Sequence, residues 1–186
     1  MTKDRNCKER LRKQSGFTLI EALVVMIVGV VVLATAAAGM TKLFRASEIS
    51  TEAQDITSMA ASLKSLKSGT QGYVGLDTKM GVQMKIPPQN MLQDASTVKN
   101  VWGGAVEFGV ANDTSGNVGQ AFTIAYKAVP AEACGQLAQK LRGAGFQSIS
   151  VGDGDKTVKL TPVSTLAEVS DACKGDTNTM TFTSDN

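Results

Sequence analysis

Lys13-Gln14-Ser15-Gly16-Phe17-Thr18-Leu19-Ile20-Glu21 runs directly into ALVVMIVGVVVLATAAAGMT, residues 22–41. The second stretch holds 20 consecutive residues without a charge, Ala22 to Thr41. At ~1.5 Å per helical residue that spans ~30 Å, one bilayer hydrocarbon core. The 16 residues before Phe17 carry six basic groups against Asp4 and Glu9, a local net of +4. The other 170 carry 13 basic and 15 acidic groups, a net of −2, so the chain's overall +2 comes from its first segment. A basic flank ahead of an apolar run places residues 1–16 in the cytoplasm and the chain beyond Thr41 across the membrane. A secretory signal or a plain anchor is the simplest account, and Ala34, Ala36 and Ala38 could form a small-residue cleavage site. The apolar run is longer than a signal needs, however. Glu21 fits neither account, because a carboxylate in an apolar helix is costly and usually has a partner or a task.

A charged leader ending in Gly16, a bulky apolar Phe17, and Glu21 at the fifth position of an apolar helix together resemble the class III leader of type IV prepilins. The resemblance implies that Gly16 precedes the bond cut by a prepilin peptidase on the cytoplasmic side. It implies that Phe17 becomes the N-methylated first residue. It also implies that Glu21 pairs with the terminal amine of a neighbouring subunit during assembly. The physical argument agrees: a carboxylate in an apolar bundle needs a positive partner, cleavage creates one, and the next cation along the chain is Lys42.

The helix is expected to continue past the membrane. Ile49, Ala53, Ile56, Ala60 and Leu63 recur at spacings of 4, 3, 4 and 3, one stripe of an amphipathic helix, with Arg45, Glu48, Glu52 and Asp55 falling largely elsewhere. Ser68-Gly69-Thr70 reads as the stop, with Gly69 a left-handed cap. A helix from Phe17 to Ser68 would be ~78 Å long. Its first half calls for lipid or other helices, its second for a sheet.

Residues 69–100, with Gly72, Gly75, Gly81 and Pro87-Pro88, read as a long connection with short local elements. Trp102 before Gly103-Gly104 reads as a packing anchor at a tight turn, with a binding aromatic as the alternative. Ala105–Val110 and Ala121–Lys127 read as strands around the turn residues 112–117. A helix opens near Pro130 and ends at Gly143. Phe146–Val151 and Thr157–Leu160 read as strands flanking Gly152-Asp153-Gly154-Asp155. Two carboxylates there hint at calcium, but a calcium hand's full spacing is missing and a hairpin turn is the simpler reading. Thr165-Leu166-Ala167-Glu168 is a capping box, and Thr177–Thr183 alternates as a last strand. Four or five strands so close in sequence should pair largely antiparallel. The expected class is α+β: a long N-terminal helix packed on one antiparallel sheet with short helices, which is the pilin fold the resemblance implies. Its parts are a removable leader at 1–16, a membrane and polymerisation segment at 17–41, and a globular domain over 42–186.

Cys7 lies in the leader, which leaves Cys134 and Cys173 beyond the membrane, where an even pair reads as a disulfide. Closing a loop of that length is worth roughly 4 kcal/mol on the chain-entropy account. A C-terminal disulfide resembles pilins more than the pseudopilins of type II secretion. Trp102-Gly103-Gly104, Phe122–Tyr126, Val129-Pro130, Ala133-Cys134 and Ala172-Cys173-Lys174 are likewise similar to type IVb pilins of thin pili. The chain has no His, which removes the commonest general base and metal ligand, and it lacks a phosphate-cradling loop. A non-enzymatic filament subunit without cofactor, metal or nucleic-acid ligand is the expected role. It would serve adhesion, aggregation or conjugation. Its partners would be further copies of itself, prepilin peptidase, the inner-membrane pilus assembly machinery and, before assembly, membrane lipid. A minor pilin or pseudopilin that primes or caps a fibre is the alternative.

Overall fold

The computed structural model describes residues 18–67, 69–153 and 156–184. The chain divides into two units, one ending at Phe44 and one running from Arg45 onward. Helix α1, Leu19–Ser65, contributes to both. In the first unit it is apolar on every side, and its large side chains from Leu19 to Leu33 are all exposed.

In the second unit Ile49, Ala53, Ile56, Ala60 and Leu63 are buried together with Met59, as the spacing predicts. The helix stops at Ser65 rather than Ser68, which lies outside the described residues. Its last turn tightens: the Leu66 and Lys67 amides bond the carbonyls of Leu63 and Lys64, three residues back. Gly69 has positive φ, as a left-handed cap would, but it sits four residues past the helix end. The connection that follows contains helix α2, Thr78–Gln83, capped by the Asp77 carboxylate on the Met80 amide, and a 3₁₀ turn at Gln89–Met91.

Strands β1 (Val98–Lys99), β2 (Ala105–Ala111), β3 (Ala121–Pro130), β4 (Ser148–Asp153), β5 (Lys156–Leu160) and β6 (Thr177–Ser184) form one sheet. Among the described residues six strands therefore replace the four or five expected; the two-residue β1 is too short to leave a periodic signal. The order is β1-β2-β3-β6-β4-β5 and every pairing is antiparallel. Register aligns the apolar alternation into rungs. Phe108, Ile124, Phe182, Ile149 and Leu160 face one another across five strands. Val98, Val106, Tyr126, Met180 and Val151 form a parallel rung. All ten are buried, in one cluster with the α1 stripe. A one-residue slip of any strand would turn its part of each rung to solvent, which is what specifies the pairing.

β3 runs three residues beyond its expected end, through an irregularity between Tyr126 and Val129 where Ala128 takes φ 55. Helix α3 (Ala131–Leu141) follows, and helix α4 (Leu166–Ala172) carries the Thr165/Glu168 capping box in full. β4 and β5 form the hairpin expected at Gly152-Asp153-Gly154-Asp155, with Asp153 opposite Lys156; Gly154 and Asp155 lie outside the described residues.

Cys134 of α3 and Cys173 at the end of α4 are bonded, with Cα atoms 5.7 Å apart, and both are buried. Around them the Arg142 guanidinium donates to the Ser164 carbonyl, a second tie between the α3 end and the loop before α4. Non-reducing digestion should release the Cys134 and Cys173 peptides as one cross-linked species. Cys134→Ser should lower unfolding stability by about 2–4 kcal/mol, measured by denaturant titration. Separate, alkylatable peptides from the folded chain would contradict the assignment.

Candidate assembly site

The assembly residues expected from the leader begin outside the described structure: Gly16 and Phe17 both lie in the undescribed first 17 residues. Glu21 is placed in the first turn of α1, exposed. The residue that organises that turn is Thr18. Its hydroxyl accepts from the Glu21 amide at 3.4 Å, and its carbonyl accepts from the Ala22 amide at 3.1 Å. This is an N-cap, which satisfies an amide that lipid could not. The sequence reading missed it although the signal was present: Thr18-Leu19-Ile20-Glu21 has the Thr-x-x-Glu spacing of a capping box.

Beyond Glu21 the helix surface is Leu23, Val24, Val25, Met26, Ile27 and Val28, then Val30 to Leu33, each more than half exposed. Thr35 is the polar side chain in this stretch, and its hydroxyl returns to the helix, bonding the carbonyls of Val31 and Val32 at 3.2 and 2.9 Å. Nothing lies within 4 Å of where a Gly29 Cβ would be. The surface thus offers van der Waals contact in every direction and one carboxylate near its start. Such a surface can sit in lipid or among copies of itself.

The globular unit has a polar site of its own on α1, and here the expected pattern fails. Glu52, assigned to the solvent side, is 4% exposed. One carboxylate oxygen accepts the Val101 amide at 2.7 Å. No hydrogen bond of good geometry reaches the other oxygen, Oε2. Burial pushes the Glu52 carboxyl above its ordinary range, while the Val101 amide and the nearby Tyr126 hydroxyl pull it down. Burial, with Glu52 beside it, raises the Tyr126 phenol in turn. The turn that Glu52 grips is built on buried Asn100. Its side chain donates to the Lys127 carbonyl at 2.8 Å and accepts from the amides of Trp102 and Gly104 at 3.1 and 2.9 Å. A Cβ on Gly104 would lie 1.7 Å from the Lys127 carbonyl oxygen, so only glycine lets the turn close on β3. Trp102 packs half-buried against the core, as a packing anchor should.

Among the described residues no three Cys, Asp or Glu side chains converge as a metal site would require. Cys134 and Cys173 are taken up by the disulfide.

Comparison with known proteins places this arrangement. Residues 11–37 match the prokaryotic N-terminal methylation motif, and residues 46–185 match the family described as PilS N terminal. Among solved structures the chain is similar to a type IV b pilin from Salmonella typhi, at 24% identity and a TM-score of 0.57. That alignment covers 74% of this chain and 99% of the other. It is also similar to TcpA, a type IV pilin from Vibrio cholerae El Tor biotype, at 16% identity and a TM-score of 0.52, covering 74% and 98%. No curated protein matches. At these identities the structural likeness shows the fold: a long N-terminal helix on an antiparallel sheet with a C-terminal disulfide.

Glu52 gives a pH prediction. Its folded pKa is raised, so the fold holds its proton more tightly than the unfolded chain does. Stability should then fall as pH rises from 4.5, the ordinary value, through the raised one. Glu52→Gln keeps an acceptor for the Val101 amide and removes the titration. Its melting temperature relative to wild type should climb as pH rises above 4.5 and through the raised value. Glu52→Ala should instead destabilise by about 1–2 kcal/mol, because the amide loses its partner. Parallel melting curves for wild type and Glu52→Gln across this range would overturn the account.

Proposed function

Because the chain belongs to the PilS family, we propose that it is a structural subunit of a type IV pilus, similar to those of the IVb class. The role is structural rather than enzymatic. Residues 1–16 are the cytoplasmic leader, 17–41 the membrane and polymerisation segment, and 42–186 the part presented across the membrane. A prepilin peptidase cuts after Gly16 and N-methylates Phe17. The precursor waits in the inner membrane, and the assembly machinery moves it into a surface filament used for adhesion, aggregation or support of conjugation.

The observation that carries this reading is the run of exposed apolar side chains from Leu19 to Leu33, beginning with a capped turn that bears Glu21. At ~25 cal/mol per Å² of apolar surface, leaving such a helix in water is prohibitive, whereas lipid before assembly and other copies after it both cover the surface. In the bundle the Glu21 carboxylate needs a cation, and the Phe17 amine of an adjacent subunit supplies one. A charged pair also sets the axial register between helices that are otherwise uniformly apolar. The disulfide supports a pilin over a pseudopilin. A minor subunit that primes or caps the fibre would differ in abundance within sheared filaments.

Mass spectrometry of sheared filaments should find this chain dominant and beginning at methylated Phe17. A bulky residue in place of Gly16 should leave full-length precursor in the inner membrane, and a mature start after Ala38 would refute the leader. Glu21→Val should keep insertion, cleavage and the globular fold yet abolish or scramble filaments. Normal numbers of normal filaments built from Glu21→Val subunits alone would sink the pairing.

A further inference from the structure

The globular unit opens with a cavity of ≈ 250 Å³ lined by Arg45, Glu48, Ile49, Trp102, Pro130, Glu132 and Ala133. Its chemistry is unusual for a packing gap. Arg45 Nη1 and Glu132 Oε2 are 3.3 Å apart, with side chains 63% and 50% exposed, so the ion pair faces solvent and can exchange partners. Glu48 adds a second carboxylate on the same helix as Arg45. Trp102, partly buried against the core, lines the same cavity. The lining therefore offers one guanidinium, two carboxylates and an aromatic side chain, a net charge of −1.

We propose that this cavity holds the headgroup of a zwitterionic phospholipid, of the phosphatidylethanolamine type, while the subunit is in the membrane. The inference rests on the membrane-anchored reading above. Arg45 comes four residues after Thr41, the last residue of the uncharged run, and one helical turn is about 3.6 residues. When that run spans the bilayer, the residues that open the globular unit are those that meet the headgroup layer, where tryptophan commonly sits. The guanidinium of Arg45 suits the phosphate. The carboxylates of Glu48 and Glu132 suit the ammonium, which can also lie over the Trp102 ring. The net charge decides the lipid class: a purely anionic headgroup meets two carboxylates with only one cation to answer them. A basic side chain from a second copy is the competing occupant.

Trp102 is the chain's single tryptophan, so its emission reports on this cavity alone. The full chain, reconstituted into phosphatidylglycerol vesicles, is titrated with phosphatidylethanolamine. Flotation with the vesicles and protection from added protease establish insertion first. The expected result is a saturable shift of Trp102 emission, with the half-saturating lipid fraction raised about two- to fivefold in Arg45→Gln and in Glu132→Gln, the size expected for one exposed ion pair. Emission in pure phosphatidylglycerol should be the same for variants and wild type. A shift that rises without saturation and equally in the variants is a bulk-bilayer response and overturns the proposal. So does no shift in inserted protein, or a shift that follows protein density rather than lipid composition, which assigns the cavity to a second copy. A chain that fails to insert at all overturns both this inference and the anchored reading beneath it.

Discussion

Covering one face of the sheet is the demand on which the rest of the structure depends. The rungs through Ile124 and Tyr126 present a continuous apolar surface that a single sheet cannot bury on its own. The later half of α1 supplies the cover with Ile56, Met59 and Leu63, none of which has any exposed surface. Once those positions are committed to the sheet, their spacing fixes the helix's rotation and brings Glu52 inward as well. The cost of burying that carboxylate is offset by an amide of the Asn100 turn, which in turn is held to β3 by the Lys127 carbonyl. Helix, turn and sheet are thereby tied by polar bonds at a place where apolar packing alone would allow sliding.

Much of this was legible because it is periodic. Spacings of three and four gave the buried stripe of α1, and alternation of two gave β2, β3 and β6 to within a few residues. Local chemistry marked the α4 cap and the β4–β5 hairpin. What stayed hidden is non-local. Nothing within Thr177–Ser184 announces that β6 lies between β3 and β4, since that follows from which apolar rungs match across the whole sheet. Glu52 was misplaced for a related reason. It lies on the edge of the stripe, and only the Val101 amide, 49 residues away, makes its burial tolerable. Of the proposed assembly residues, Glu21 stands out in the sequence as a carboxylate at the start of an apolar helix. The Thr18 cap is less visible because Thr18 to Glu21 carry the leader pattern and the capping pattern in the same four residues. Asn100 carried no signal, as its bonds go to a turn that forms only against β3.

The position of β6 has a consequence for biogenesis. Among the described residues the β4–β5 hairpin joins the rest of the sheet through the β4–β6 pairing alone. Among the described strands β6 is the last to leave the ribosome and, on the membrane-anchored reading proposed above, the last to cross the membrane. Until it does, the two halves of the sheet have no shared edge, and β3 and β4 each expose an open strand edge to whatever is nearby. Cys134 precedes Cys173 by 39 residues, so the disulfide also waits for the last part of the chain. Such a subunit completes its fold in one late step, and a chain stalled in translocation would offer two unpaired edges to its neighbours at the membrane surface.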